Sequence, residues 1–208
     1  MSPLEDAIAE IVVRRKRTPV ERALLVGISG IDGSGKTWLT DKLARALEDR
    51  ELKVAAINAD GWLNLPEVRF DQENPAEHFY RHGLRLDEMF AQLVVPLRDT
   101  RRIDLLAKHV EETATRAVPR RYKVQDVDVA LVEGIFLFRP PYRNELDLRI
   151  WIECSFETAC QRAVARAQEG LGKAETIFAY DRIYFPAQQL HFQRDNPCAA
   201  ADLIVKNL

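Results

Sequence analysis

A seven-residue run, Ala23-Leu24-Leu25-Val26-Gly27-Ile28-Ser29, leads directly into Gly30-Ile31-Asp32-Gly33-Ser34-Gly35-Lys36-Thr37. The second segment matches G-x-x-x-x-G-K-[ST] in full. Behind it Trp38, Leu39, Leu43, Ala44 and Leu47 recur at helical spacing, with Asp41, Lys42, Arg45 and Glu48 between them. No other stretch narrows the fold as much. An unbroken apolar strand is the habit of a sheet covered on both faces. Gly30, Gly33 and Gly35 permit a backbone path with positive φ angles and no side chains in the way. The amides of such a loop form a concave anion nest, to which a helix N-terminus adds donors and a positive dipole end. Strand, glycine loop and helix therefore predict a site for the phosphates of a nucleotide at residues 30 to 37. Lys36 can reach the β- and γ-phosphates, and the Thr37 hydroxyl can ligate Mg²⁺.

The remaining segments predict strands alternating with helices. Lys53 to Ala59 reads as a second strand, Val127 to Gly134 as a third, Leu148 to Glu153 as a fourth and Ala201 to Val205 as the last. Residues 76 to 98 read as one helix with Phe79, Leu84, Leu86, Met89, Phe90, Leu93, Val94 and Leu97 on its buried face. Residues 156 to 168 predict another helix, and 174 to 194 a further one, interrupted or bent near Pro186. From Arg101 to Val124 two readings stand: two short strands around Glu111-Glu112-Thr113, or a helix followed by a loop at Pro119. At the N-terminus, Leu4, Ile8, Ile11 and Val12 make a helix face, and Arg14 to Arg17 read as its solvated, dipole-complementing end. The pattern predicts a parallel α/β sheet with helices on both faces. One domain spans 1–208, without repeats or linkers, and its polar strand ends converge on one crevice.

Two carboxylates stand at those ends. Glu133 closes the third strand, where it can hold Mg²⁺ directly or through water. Asp60 closes the second, where it can take a proton from an attacking hydroxyl or help position the metal. Arg162 and Arg166 lie four apart and share a helix face. Arginines suit the charge that spreads over a transferring phosphoryl group, and Arg182 is a further candidate. Trp62 reads either as a platform for a planar substrate or as a loop anchor. His78 and His82 have i, i+4 spacing without the glutamate or third ligand of a metal site, and His109 and His191 stand alone.

Composition excludes several classes. With 30 basic and 32 acidic residues the formal charge is −2, not the bias of a dedicated nucleic-acid binder. Cys154, Cys160 and Cys198 lack metal or disulfide spacing and read as buried free thiols of a reducing compartment. No apolar run approaches the roughly 20 residues of a membrane span, and no apolar leader opens the chain. The expectation is a cytoplasmic protein without nucleic-acid or membrane partners; a homo-oligomer is compatible with the sequence.

Four segments together resemble the uridine kinase family: Gly27 to Thr37, Asp60 after the second strand, Val132-Glu133-Gly134-Ile135-Phe136, and Ala201-Asp202-Leu203-Ile204-Val205-Lys206-Asn207. The likeness runs from about residue 22 to 207. It implies a P-loop NTPase three-layer fold with a five-stranded parallel core and a helical lid at 160–195. It implies use of ATP with Mg²⁺, and transfer of the γ-phosphate to a hydroxyl of a small molecule, a nucleoside above other hydroxylated metabolites. By the same resemblance Asp60 is the catalytic acid facing the acceptor, Glu133 and Thr37 serve the metal, and Arg162 and Arg166 belong to the lid. Residues 101–124 take the place of the substrate-side insertion. That stretch lacks the family's Pro-x-Tyr-Asp element, and Asp60 is followed by Gly61-Trp62 in place of Phe-Tyr. Non-kinase P-loop proteins fit less well: a GTPase-type switch would carry D-x-x-G after the metal strand and N-K-x-D for guanine, whereas here that strand ends Glu133-Gly134-Ile135-Phe136 and no N-K-x-D occurs.

Overall fold

The computed structural model describes residues 2–166 and 171–207. The chain opens with helix α1 (Pro3–Arg17), which buries Ala7, Ile8 and Ile11. Its cap is reciprocal: the Ser2 hydroxyl accepts from the Glu5 amide, and the Glu5 carboxylate accepts from the Ser2 amide. The basic run at its end does more than meet water. Arg15 pairs with Asp128 at 3.0 Å, and Arg14 pairs with Glu10 at 2.7 Å while also donating to the Asp147 carbonyl. α1 is thereby fastened to the N-terminal ends of the sheet strands.

Strand β1 (Leu24–Gly30) leads through the glycine loop into α2 (Lys36–Glu48), and β2 (Val54–Asn58) ends in a single 3-10 turn, Ala59–Gly61. Short α3 (Pro66–Arg69) and α4 (Pro75–His82) follow. The helix expected over 76–98 breaks here. Gly83 caps α4, Leu84 bridges to Leu63, and the Arg85 amide donates to the Trp62 carbonyl at 2.8 Å. The apolar spacing runs through the break because Phe79, Leu84 and Leu86 are all buried. The chain then resumes as α5 (Leu86–Met89), a π turn (Phe90–Val94) and α6 (Val95–Thr100).

Residues 101–124 take the first of their two readings. β3 (Ile103–His109) and β4 (Val118–Val124) form an antiparallel hairpin separate from the main sheet, so the helical alternative falls. Pro119 stands opposite Lys108 in a strand with no further partner, where its missing N–H is tolerated. Next come β5 (Val129–Gly134), α7 (Pro140–Arg143), β6 (Leu148–Glu153) and α8 (Phe156–Arg166). Residues 167–170, within the expected lid, lie outside the described residues. Beyond them the chain continues as α9 (Lys173–Ala179), a π turn (Tyr180–Tyr184) and α10 (Phe185–Asp195), before α11 (Pro197–Ala200) and β7 (Leu203–Lys206). Both π turns stand just ahead of a proline, Pro96 and Pro186. The wider turn accommodates a residue that lacks the N–H and whose ring crowds the preceding carbonyls.

Five strands form one parallel sheet in the order β2-β5-β1-β6-β7, as the resemblance implies. Two apolar layers cover it. Leu24, Val26 and Ile28 of β1 join Ile11, Leu39, Leu43 and Leu47 from α1 and α2. Leu25 joins the opposite layer, with Phe79, Met89, Phe136 and Trp151. Burial of each such aliphatic side chain contributes about 1.5–3 kcal/mol. The two layers fix the strand ends, and with them the positions of the loop, Asp60 and Glu133.

At the surface, α4 and α10 are clamped by Glu77, which pairs with Arg194 at 2.7 Å and with Arg81 at 2.5 Å. Those two guanidiniums hold its carboxyl down at about 2, against an ordinary value of 4.5. A depressed carboxyl stabilises the fold above its unfolded pKa and loses that contribution as pH falls through the folded value. Glu77→Gln is expected to lower the melting temperature by about 2 °C at neutral pH, the scale of an exposed ion pair in a chain of this size. The difference from wild type should shrink between about pH 4.5 and 2; a pH-independent difference in thermal scans would contradict it.

Candidate active site

The glycine loop leaves β1 at its carboxyl end and turns through Gly33 (φ 75°) and Gly35 (φ 94°), both in the left-handed region. A Cβ on Gly33 would lie 2.5 Å from the Ala159 carbonyl oxygen, so the loop is packed tightly against α8. Asp32 is the loop's anchor. Its carboxylate accepts from the Gly33 amide and from the Tyr180 hydroxyl, each at 2.8 Å, while its own amide donates to Gln188 at 3.1 Å. On the other flank, the Asn207 side chain donates to the Ser34 carbonyl at 2.7 Å. Lys36 is buried and donates to the Ile31 carbonyl at 3.0 Å. The Ser34 hydroxyl is buried without a hydrogen-bond partner.

Thr37 and Glu133 meet above the sheet, where the Thr37 hydroxyl donates to the Glu133 carboxylate at 2.8 Å. Glu133 lies in register between Ile28 of β1 and Asn58 of β2. Burial pushes its carboxyl up to about 7, against the pull of the Lys36 ammonium. The pair offers oxygen donors only, beside a loop whose glycine turns leave the backbone open to phosphate. This donor set fits Mg²⁺ held jointly by protein and nucleotide.

Asp60 sits in the 3-10 turn after β2, where the Asn58 side chain accepts from its amide at 2.7 Å. Solvent reaches it through the crevice, yet the crevice walls crowd the carboxylate. That crowding raises its pKa above the ordinary value; Lys36 opposes the shift and Asp32 adds to it. Two spaces meet at this residue. One is a chamber of about 40 Å³ lined by Asp32, Asp60, Arg69, Glu112, Arg166 and Tyr184. The other is a cavity of about 350 Å³ lined by Asn58, Asp60, His109, Glu111, Glu112 and Arg120, among others. Asp60 and Glu112 border both.

The structure thus brings together most of the residues singled out from the sequence. Arg166 reaches the chamber and lies 3.7 Å from Asp32. Arg162 stands on the Ser34 flank instead, with its guanidinium 3.4 Å from the Asn207 carbonyl and 3.6 Å from the Cys154 sulfur. Arg182 is exposed on the π turn Tyr180–Tyr184. Trp62 is fully buried against Tyr122 and beneath Arg85, so it anchors the hairpin and offers no platform for a ligand. His78 meets the Val68 carbonyl, and the described residues hold no metal-type cluster. His191 is buried beside Asp195, which also accepts from Tyr80. The three cysteines are free and half-buried, less buried than the sequence suggests.

The sequence did not point to His109 or Arg69. His109 closes β3 inside the larger cavity, buried, with Nδ1 unbonded and Nε2 3.8 Å from Glu111. Burial and the nearby Arg120 lower its pKa, which keeps the ring neutral. Alternation along β3 puts Ile103, Leu105, Ala107 and His109 on one face, a signal available once the segment is read as a strand.

No family model matches the chain. Uridine-cytidine kinase B of Dictyostelium discoideum is 26% identical over 173 residues, covering 78% of this chain and 67% of the relative. Uridine kinase of Macrococcus caseolyticus is 26% identical over 191 residues, covering 89% of each. A solved structure of a possible uridine kinase from Bacillus stearothermophilus superposes with a TM-score of 0.73 at 20% identity, over 97% of this chain and 98% of that one.

The packing of the loop can be tested without ligand. Gly33→Ala puts a methyl group against the Ala159 carbonyl at a φ that costs an L-residue about 1–2 kcal/mol before the clash is counted. The expected fall in melting temperature is at least about 4 °C. An unchanged melting temperature would mean that the loop is not held this tightly.

Proposed function

We propose that this chain, a uridine kinase-like P-loop kinase and hence a phosphotransferase that acts on a hydroxyl, transfers the γ-phosphate of ATP to an uncharged, hydroxylated small molecule, a nucleoside by preference. The observation that carries this is the position of Asp60, which borders both the phosphate-scale chamber at the loop and the larger cavity beside it. An acceptor in the larger cavity presents its hydroxyl to Asp60, and the oxygen attacks the γ-phosphorus through the chamber. The Asp60 carboxylate orients that hydroxyl and takes its proton as the new P–O bond forms and ADP leaves. Lys36 and Arg166 hold the phosphate oxygens, with Arg162 supporting the nucleotide from the other flank. Thr37 and Glu133 would hold Mg²⁺, which when bound neutralises charge on the phosphates. Residues 160–195 act as the lid, and the reading carries a cytoplasmic setting. In keeping with that, the cysteines are free, and no helix of the described residues is long and apolar enough to cross a membrane.

The character of the acceptor follows from its cavity. Asp60, Glu111 and Glu112 outnumber Arg120, and His109 is held neutral. A carboxylate-bearing acceptor of the pantothenate type would meet like charge there, whereas hydroxyls find both donors and acceptors. A monosaccharide fits this chemistry as a second reading, because Trp62 is buried and cannot stack on a base.

Incubation with Mg²⁺, ATP and a panel of nucleosides, sugars and hydroxy acids should show release of ADP only with uncharged acceptors. Asp60→Asn is expected to cut transfer by about 10²–10⁴-fold while Mg·ATP affinity stays within a few-fold. Failure of every acceptor to raise ADP release above the rate with water would overturn the assignment. Glu133→Gln should raise the Mg²⁺ concentration needed for half-maximal activity by about 10- to 100-fold, measured by Mg²⁺ titration at saturating ATP.

A further inference from the structure

Arg69 ends α3, a four-residue helix to which no part of the proposed reaction has been assigned. It is 4% exposed, an unusual position for an arginine. One nitrogen donates to the Glu112 carbonyl, the guanidinium packs 4.9 Å from the Phe70 ring, and Nε has no hydrogen-bond partner among the described residues. Among the described residues it forms no ion pair, and the Glu112 carboxylate is near enough only to bias its charge. The guanidinium is therefore a buried cation with an open donor and no fixed ion pair among the described residues, in a chamber that Asp32, Asp60 and Glu112 also line. A cation in that condition is costly unless an anion completes it. Burial lowers its pKa, with Tyr184 and Glu112 opposing, yet an arginine stays charged under all ordinary conditions.

The chamber that Arg69 lines is the one bordered by Asp32, Asp60 and Arg166. At about 40 Å³ it admits a group of a few atoms, not a sugar or a base. Arg166 comes to it from α8 and Arg69 from α3, so two cations reach one small space from separate elements. Between the glycine loop and Asp60, the anion that enters this space is the terminal phosphoryl group of the nucleotide.

We propose that Arg69 is a catalytic residue that contacts the transferring phosphoryl group, complementing Lys36 and Arg166; this rests on the kinase reading above. As the bond from phosphorus to the ADP oxygen breaks and the bond to the acceptor oxygen forms, negative charge spreads over the three oxygens in transit. Arg69 donates to them and moves no proton; the acceptor's proton goes to Asp60. Its open Nε and lack of a fixed carboxylate are what such a role needs, since a permanent ion pair would compete with the phosphoryl oxygens.

Binding of Mg·ATP and Mg·ADP tests this without any acceptor. Calorimetric titration of wild type and Arg69→Gln should show ADP affinity within two- to three-fold and ATP affinity weakened about tenfold, the scale of a charge-assisted contact to the γ-phosphate. Should Arg69→Gln fold poorly by circular dichroism, Arg69→Lys carries the same comparison, with a smaller but still selective loss for ATP. With an acceptor identified, kcat should fall by about 10²–10³-fold in Arg69→Gln. Equal loss for ATP and ADP would make Arg69 a structural residue, and equal retention of both would remove it from the chamber's chemistry; either overturns the proposal. If wild type binds neither nucleotide, the kinase reading falls and this inference falls with it.

Discussion

Burial of β1 on both faces is the constraint from which the site follows. The strand is covered by α1 and α2 on one side and by the aromatic layer on the other, and it is paired laterally with β5 and β6. It has no freedom to slide, because a shift of one residue would exchange its two faces. The glycine loop therefore begins at a fixed point in space. The same pairing sets Glu133 beside Ile28, and the Ser29 hydroxyl donates to the Gly134 carbonyl at 2.9 Å, tying the two strand ends together. The Thr37–Glu133 contact is the outward expression of this inner register.

A fixed starting point does not shape the loop itself; contacts from later in the chain do that. Tyr180 and Gln188 hold Asp32 from the π turn at Tyr180–Tyr184 and from α10, and Asn207 holds Ser34 from the end of β7. Positions more than 140 residues apart therefore share one small structure. The conformation of the loop is coupled to the docking of α9 and α10, and the Arg166–Asp32 contact links α8 to the same carboxylate.

What the sequence made legible was what local periodicity encodes. The strand at Leu148–Glu153 lay where expected, the others differed by a residue or two at their ends, and Asp60 and Glu133 came out at neighbouring strand ends because strand ends are where polar residues stop an apolar run. The uniform helix over 76–98 failed at Gly83, where a backbone bridge from Leu84 to Leu63 outweighs helical spacing. The hairpin stayed ambiguous because only the inner face of β3 is buried, and β4 is exposed along almost its whole length. Arg69 carried no signal at all. A buried arginine and a surface arginine look alike in a sequence, and only the long-range approach of Glu112 and Arg166 distinguishes them.

Among the described residues, β3 and β4 pair as strands only with each other, apart from the parallel sheet. The hairpin's links to the rest of the chain include Arg85, which donates to the Lys108 carbonyl, the bridge from Val110 to Trp62, Arg69, which donates to the Glu112 carbonyl, and the packing of Ala107 and Val110 in the core. Its turn nevertheless supplies Glu111 and Glu112 to the larger cavity. The glycine loop is thus set by the parallel sheet, while one wall of the larger cavity is set by a turn that belongs to no strand of that sheet. The two are joined at a single residue of the turn: on the proposed reading, a change at Glu111 alters the larger cavity alone, whereas a change in the backbone at Glu112 also reaches Arg69 and the small chamber.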